Sequence, residues 1–213
     1  MIKKIAGFLI LIFSGNYCHS QSDFEMWHKI SPEIRLNFED LPFEIRWRPV
    51  DYLITPDIHF GRTDIMIGVN FWKFKIFSYS KFDELERMWT GARLDFSLNM
   101  FKDKLLINLD QRYFFGLNEK SSDQIFLVDM ITYKITNKLH LGVLSYGQWD
   151  RYKDIKAGIL SIGPVINIIL PHNFNLLITS GKDVFHENRY LSIYRLGYKI
   201  FWKNQNKPID FGI

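Results

Sequence analysis

The sequence predicts an all-β protein, an antiparallel up-and-down transmembrane β-barrel of 12 strands, or 10 on a second parse. Three observations predict it. Apolar and polar residues alternate with a period of two through most of the chain after residue 32, which is the strand period. Beyond the N-terminal leader no run of about 18 apolar residues occurs, so a helical span is not expected. The connections also sort by length. Short turns at 102–104, 136–138 and 171–173 alternate with longer polar connections at 81–91, 116–123, 149–156 and 185–188. Barrels that cross an outer membrane are built this way, with short turns on the periplasmic side and long loops outside.

Residues 1–21 have the layout of a cleaved signal peptide. Lys3 and Lys4 form a basic start, Ile5 to Phe13 is the apolar run, and Ser14 to Gln21 is small and polar. Cys18 is the only cysteine, and Tyr17 stands where a lipid-attachment site needs a small residue. Loss of Cys18 with the leader leaves no thiol, which excludes disulfides, thiolate metal sites and cysteine catalysis. The formal charge of +4 is too mild to suggest nucleic acid as a partner. Residues 22–204 form the barrel, and 205–213 a C-terminal tail.

Within the barrel, Glu33 to Phe38 and Phe43 to Arg48 alternate cleanly around a turn at 39–42. The stretch 51–60 is a short strand in the 12-strand parse and a loop in the 10-strand parse. From Thr63 to Phe82 the chain is twice as long as one spanning strand needs, and the apolar phase slips between Phe71 and Phe74. A hairpin there is favoured over a bulge. Strands then follow at 93–100, 105–115, 124–135, 139–148, 157–170, 174–184 and 189–202, with Gly163-Pro164 marking a kink. An even strand number returns both ends of the barrel to the same side.

The polar faces carry more charge than solvation requires. Glu33, Arg35, Glu44, Arg46, Arg48, Asp64, Arg93, Asp95, Asp110, Arg112 and Asp129 are expected in the lumen as a network of both signs. The interior of a small barrel is filled by side chains, so these groups read as a salt-bridged plug. A narrow polar pore is the alternative. Aromatic residues gather near strand ends, as interfacial girdles do. No pair of histidines stands at metal-ligand spacing, and no phosphate-binding glycine loop or cofactor motif is present. Asp183, His186 and Glu187 gather at one outer loop, where an acid–histidine pair could activate water; a solvated loop is the simpler account.

The last strand, 195–202, places Arg195, Gly197, Ile200 and Trp202 in the order polar, any, Gly, any, any, apolar, any, aromatic. This resembles the closing-strand signal of outer-membrane β-barrels. Together with the Glu-x-Arg strands, Pro49 after Trp47 and a Gln near the cleavage site, the chain resembles the small outer-membrane barrels common in Bacteroidetes. The resemblance implies insertion by the barrel-assembly machinery, contact with outer-membrane lipid, a location in the bacterial outer membrane, and no cofactor. A structural or interaction barrel is the expected role, with a small-solute channel and an outer-surface hydrolase as alternatives. A soluble barrel would reverse the faces, turning Ile65, Ile67, Leu94, Phe96, Leu105 and Ile107 inward.

Overall fold

The computed structural model describes residues 25–38, 41–56, 59–150 and 158–202. The expected signal peptide 1–21 and tail 205–213 lie outside the described residues. All regular elements among these are strands: β1 (Glu25–Phe38), β2 (Phe43–Arg48), β3 (Tyr52–Ile54), β4 (His59–Phe60), β5 (Arg62–Phe71), β6 (Phe74–Asp83), β7 (Met88–Met100), β8 (Leu105–Gly116), β9 (Gln124–Lys134), β10 (Leu139–Asp150), β11 (Ile159–Ile169), β12 (Phe174–Asp183) and β13 (Arg189–Trp202).

Eleven of these close a ring, in the order β1, β2, then β5 through β13, with β13 returning to β1. Successive neighbours pair antiparallel, and the closing β13–β1 pair is parallel, from Glu25↔Arg189 to Phe38↔Trp202. Residues 63–82 form the expected hairpin, β5–β6, closed at Phe71↔Phe74. The stretch 51–60, counted as a ring strand in the 12-strand parse, is the short β3–β4 pair outside the ring's cycle. β3 lies on β1 at Ile30↔Tyr52, on the edge that β2 occupies at Ile34↔Trp47. The break between β2 and β3 falls at Pro49, which has no N–H to continue a ladder, and the register moves by one residue across it. An eleven-strand ring also separates the barrel ends. β1 starts beside the loop before β13, whereas β13 finishes beside the turn after β1, so the two ends do not return to one side.

The connections divide as the sequence indicates. Among the described residues, segments 72–73, 101–104, 135–138 and 170–173 lie at one end; 84–87, 117–123 and 184–188 lie at the other. Several turn-end residues take left-handed backbone, including Trp72 (φ 53°), His172 (φ 57°) and Asn173 (φ 63°). Two successive positive φ values at His172-Asn173 suit the right-handed twist of the flanking strands. Trp72, a bulky aromatic, makes a two-residue turn that its side chain alone would not favour, which is why the 63–82 hairpin lacks a turn signature. At Gly163-Pro164 the β11–β12 ladder is interrupted but its register is unchanged on either side.

The distribution of side chains is the reverse of a soluble barrel's. Ile67 is 54% exposed and Val143 52%, while Glu44, Arg48 and Asp64 are completely buried. Ile65, Ile67, Leu94, Phe96, Leu105 and Ile107 all occupy the outward register, alternating with inward Asp64, Met66, Arg93, Asp95, Leu106 and Asn108. A continuous apolar exterior of this kind exceeds what a soluble monomer carries. Aromatic rings rim it at the turn end, with Phe174 stacked on Tyr198 at 4.5 Å and Phe74 against Phe96 at 4.9 Å between centroids. Inside, edge-to-face contacts link Tyr79, Phe114, Phe126 and Tyr146, and Phe77 belongs to the same buried cluster. Gly68 makes room for it: a Cβ there would stand 2.3 Å from the Phe77 ring.

Candidate functional site

The lumen charges come mainly from one wall, β1, β2 and β5 through β8. Strand alternation aims every second residue inward, and lateral register then sets neighbours in rows. In one row, Arg48 on β2 lies between Glu33 on β1 and Asp64 on β5. Arg48 donates from Nε to Glu33 Oε2 at 2.6 Å, and its Nη1 reaches Asp64 Oδ2 at 3.3 Å and the Tyr79 hydroxyl at 3.2 Å. The Tyr79 hydroxyl donates in turn to Asp64.

Deeper toward the turn end, Arg93 faces Arg112 and Asp95 faces Asp110 across β7 and β8. Like charges directly opposite would repel. The side chains resolve this by pairing along and diagonally across the strands. Arg93 Nε meets Asp95 Oδ1 at 2.6 Å, Arg93 Nη2 meets Asp110 Oδ2 at 3.0 Å, and Arg112 Nε donates to Asp110 Oδ1 at 2.7 Å. Arg46 links this square to β2, with Nη1 at 2.7 Å from Asp95 and Nε at 2.5 Å from Glu44. Lys75 caps the other Glu44 oxygen at 2.5 Å, and Arg35 holds Glu33 Oε1.

Toward the loop end, cations that sequence reasoning left out of the lumen extend the network. Arg62 pairs with Asp51 and Asp64, and Lys29 lies 3.2 Å from Asp51. Lys29 also donates across the lumen to the Tyr146 hydroxyl on β10 at 3.3 Å. Lys81 donates to Gln124 on β9 at 2.5 Å, and its ammonium lies 3.9 Å from the Phe114 ring centroid and 4.4 Å from that of Phe126. These contacts join strands that are not neighbours, so side chains fill the interior over this height. The signal was available: Lys29 and Ser31 continue the period of Glu33 and Arg35 backward, and Lys81 continues that of Phe77 and Tyr79 forward.

Ten of the eleven expected lumen charges point inward as described. Asp129 does not. It shares the outward register of Leu127 and Ile131, while Val128 and Met130 face inward. There it is half-buried and accepts from Gln111 Nε2 at 3.1 Å, opposite Ser145 on β10. This is a small polar patch on the apolar exterior.

Asp183 and His186 do come together at the loop end, with Nδ1 2.9 Å from Asp183 Oδ2. Arg189 adds a guanidinium 3.6 Å from the same carboxylate. The other Asp183 oxygen accepts from the backbone N–H groups of Leu160 and Phe185, so Asp183 fastens the 184–188 loop to β11. Glu187 is exposed and is not part of this cluster. Arg195, Gly197, Ile200 and Trp202 all lie on β13, the strand that pairs with β1; Arg195 and Gly197 take the inward register and Ile200 the outward one.

No family model, curated protein or solved structure matches the chain. The functional reading therefore rests on the barrel's own chemistry.

Proposed function

We propose that this chain is an outer-membrane β-barrel closed by its own salt-bridged interior, acting as a structural or interaction barrel whose loops are its contact surface. One observation carries the reading: ion-paired side chains with no solvent exposure inside, Arg48 with Glu33 and Asp64, and exposed Ile and Val outside. Burying charge while exposing hydrocarbon has a favourable free energy only where the surroundings of the barrel are apolar. Strands of 10–14 residues along most of the ring suit a bilayer's hydrocarbon core when tilted. On this reading the exterior meets outer-membrane lipid, the short turns face the periplasm, and β13 is the strand handled by the barrel-assembly machinery.

Filled cross-section favours a closed barrel over the channel alternative. The Lys29–Tyr146 and Lys81–Gln124 contacts cross between distant strands above the Arg48 row. The hydrolase alternative is weaker because Asp183 is committed to holding its loop. Fractionation with heat-modifiability on gels tests the location. The barrel is expected in the outer-membrane fraction, with a mobility that changes on boiling. Planar-bilayer recording of the same material tests closure, and no stable single-channel steps are expected. Recovery from the soluble fraction without a heat shift would contradict the location, and steady ohmic steps would contradict the plug.

A further inference from the structure

Below the plug, the lumen widens into a cavity of about 530 Å³ that reaches the turn-end mouth. Its β13 wall carries cations that no acid neutralises. Arg195 and Lys199 lie four residues apart on the inward face of β13, and Arg35 is the register partner of Lys199 on β1. Among the described residues, neither Arg195 nor Lys199 has a carboxylate within ion-pair distance, and the Arg195 Nε is buried without an acceptor. Glu33, opposite Gly197, is already engaged by Arg35 and Arg48. Every other cation on this wall is held by an acid.

The strands that follow β13 round the ring add unpartnered polar groups. Both ring nitrogens of His140 on β10, and the side-chain oxygens of Asn167 on β11 and Asn175 on β12, are buried with no hydrogen-bond partner, and all three residues line the cavity. Buried polar groups are normally satisfied, so a cluster of exceptions around one cavity calls for a ligand. Cations grouped without counter-charge also repel one another unless an anion joins them.

We propose that this cavity binds a small polyanion, a phosphate group held by Arg195 and Lys199 beside Arg35, with the amides and imidazole of β12, β11 and β10 completing its shell. Guanidinium and ammonium groups suit phosphate oxygens, and an amide turned end for end presents N–H₂ to them. The site goes beyond the closed-barrel reading: it needs only β13 closed on β1, and binds rather than conducts.

The test is calorimetric titration of the full chain, folded in a neutral detergent, with inorganic phosphate at constant ionic strength. Saturable binding of one phosphate per barrel is expected. Lys199→Gln and Arg195→Gln should each weaken it by about tenfold or more, the loss of one charge-assisted contact. Lys102→Gln with Lys104→Gln, in an exposed turn at the same end, should leave it unchanged. Should Arg195→Gln fail to fold, Lys199→Gln decides alone, because Lys199 makes no ion pair that the barrel needs. Absence of saturable heat, an unchanged affinity in Lys199→Gln, or an equal loss in the turn variant would overturn the proposal. Stronger binding of a phospholipid headgroup analogue such as glycerol phosphate than of phosphate itself would assign the source as lipid; equal or weaker binding would assign it as a free solute.

Discussion

Arg48→Met removes a cation that joins β1, β2 and β5 inside the barrel. Arg48, Glu33 and Asp64 have no side-chain exposure, so no water is positioned to replace what is lost. Asp64 would keep Arg62 and the Tyr79 hydroxyl, and Glu33 would keep Arg35 on Oε1. Glu33 Oε2, which takes both Nε and Nη2 of Arg48, would be stranded. Breaking a buried pair from one side costs about 3–5 kcal/mol, and the partners that remain argue for about 3 kcal/mol here. A solvated pair would cost no more than about 1 kcal/mol. The assay is reversible urea unfolding in lipid vesicles, followed by tryptophan fluorescence. Adding Glu33→Gln should recover most of the loss, since it removes the stranded charge. A loss below about 1 kcal/mol for Arg48→Met alone would refute the reasoning, because it would mean that water reaches the plug.

Other predictions follow from single positions. Gly68→Ala should destabilise by about 1–3 kcal/mol in the same assay, because its Cβ would meet the Phe77 ring at 2.3 Å and the Ile76 carbonyl oxygen at 2.5 Å. His172→Gly should stabilise by a few tenths to about 1 kcal/mol, since φ at this turn position is 57° and glycine adopts it without strain. Asp129→Val should stabilise the barrel in vesicles by about 1 kcal/mol, because it removes a carboxyl from a largely apolar exterior. Destabilisation instead would give the Asp129–Gln111–Ser145 patch a partner of its own. His186→Ala should leave the barrel folded and increase proteolytic nicking of the 184–188 loop, where Asp183 loses one of its four contacts.

Alternation made most of the barrel legible from sequence because most strands place polar and apolar residues on strictly opposite faces. Where both faces are apolar, the phase could not be read. β9 carries Phe126, Val128 and Met130 inward and Ile125, Leu127 and Ile131 outward, so nothing local shows that Asp129 belongs with the second set. The ring number was obscured at Pro49, where one pairing edge passes from β2 to β3 with a shifted register. The β1–β13 pairing begins at Glu25, and extending the period of Glu33 and Arg35 backward would have placed Lys29 and Ser31 in the lumen. Arg195 and Lys199 were visible as the polar face of the last strand. What sequence could not show is that the acids around them are already taken, a fact that depends on lateral register among β1, β2 and β5.

The most direct test of the central account is quenching by brominated lipid of a fluorophore attached to single cysteines, in a Cys18→Ser background and in vesicles. Ile67→Cys and Val143→Cys, on the exposed apolar face, are predicted to be strongly quenched, and Ser161→Cys, on the inward face of β11, is predicted to be protected. Protection at Ile67 and Val143 with quenching at Ser161, or no quenching at any of the three, would contradict a barrel that keeps its charges inside and its hydrocarbon in the bilayer.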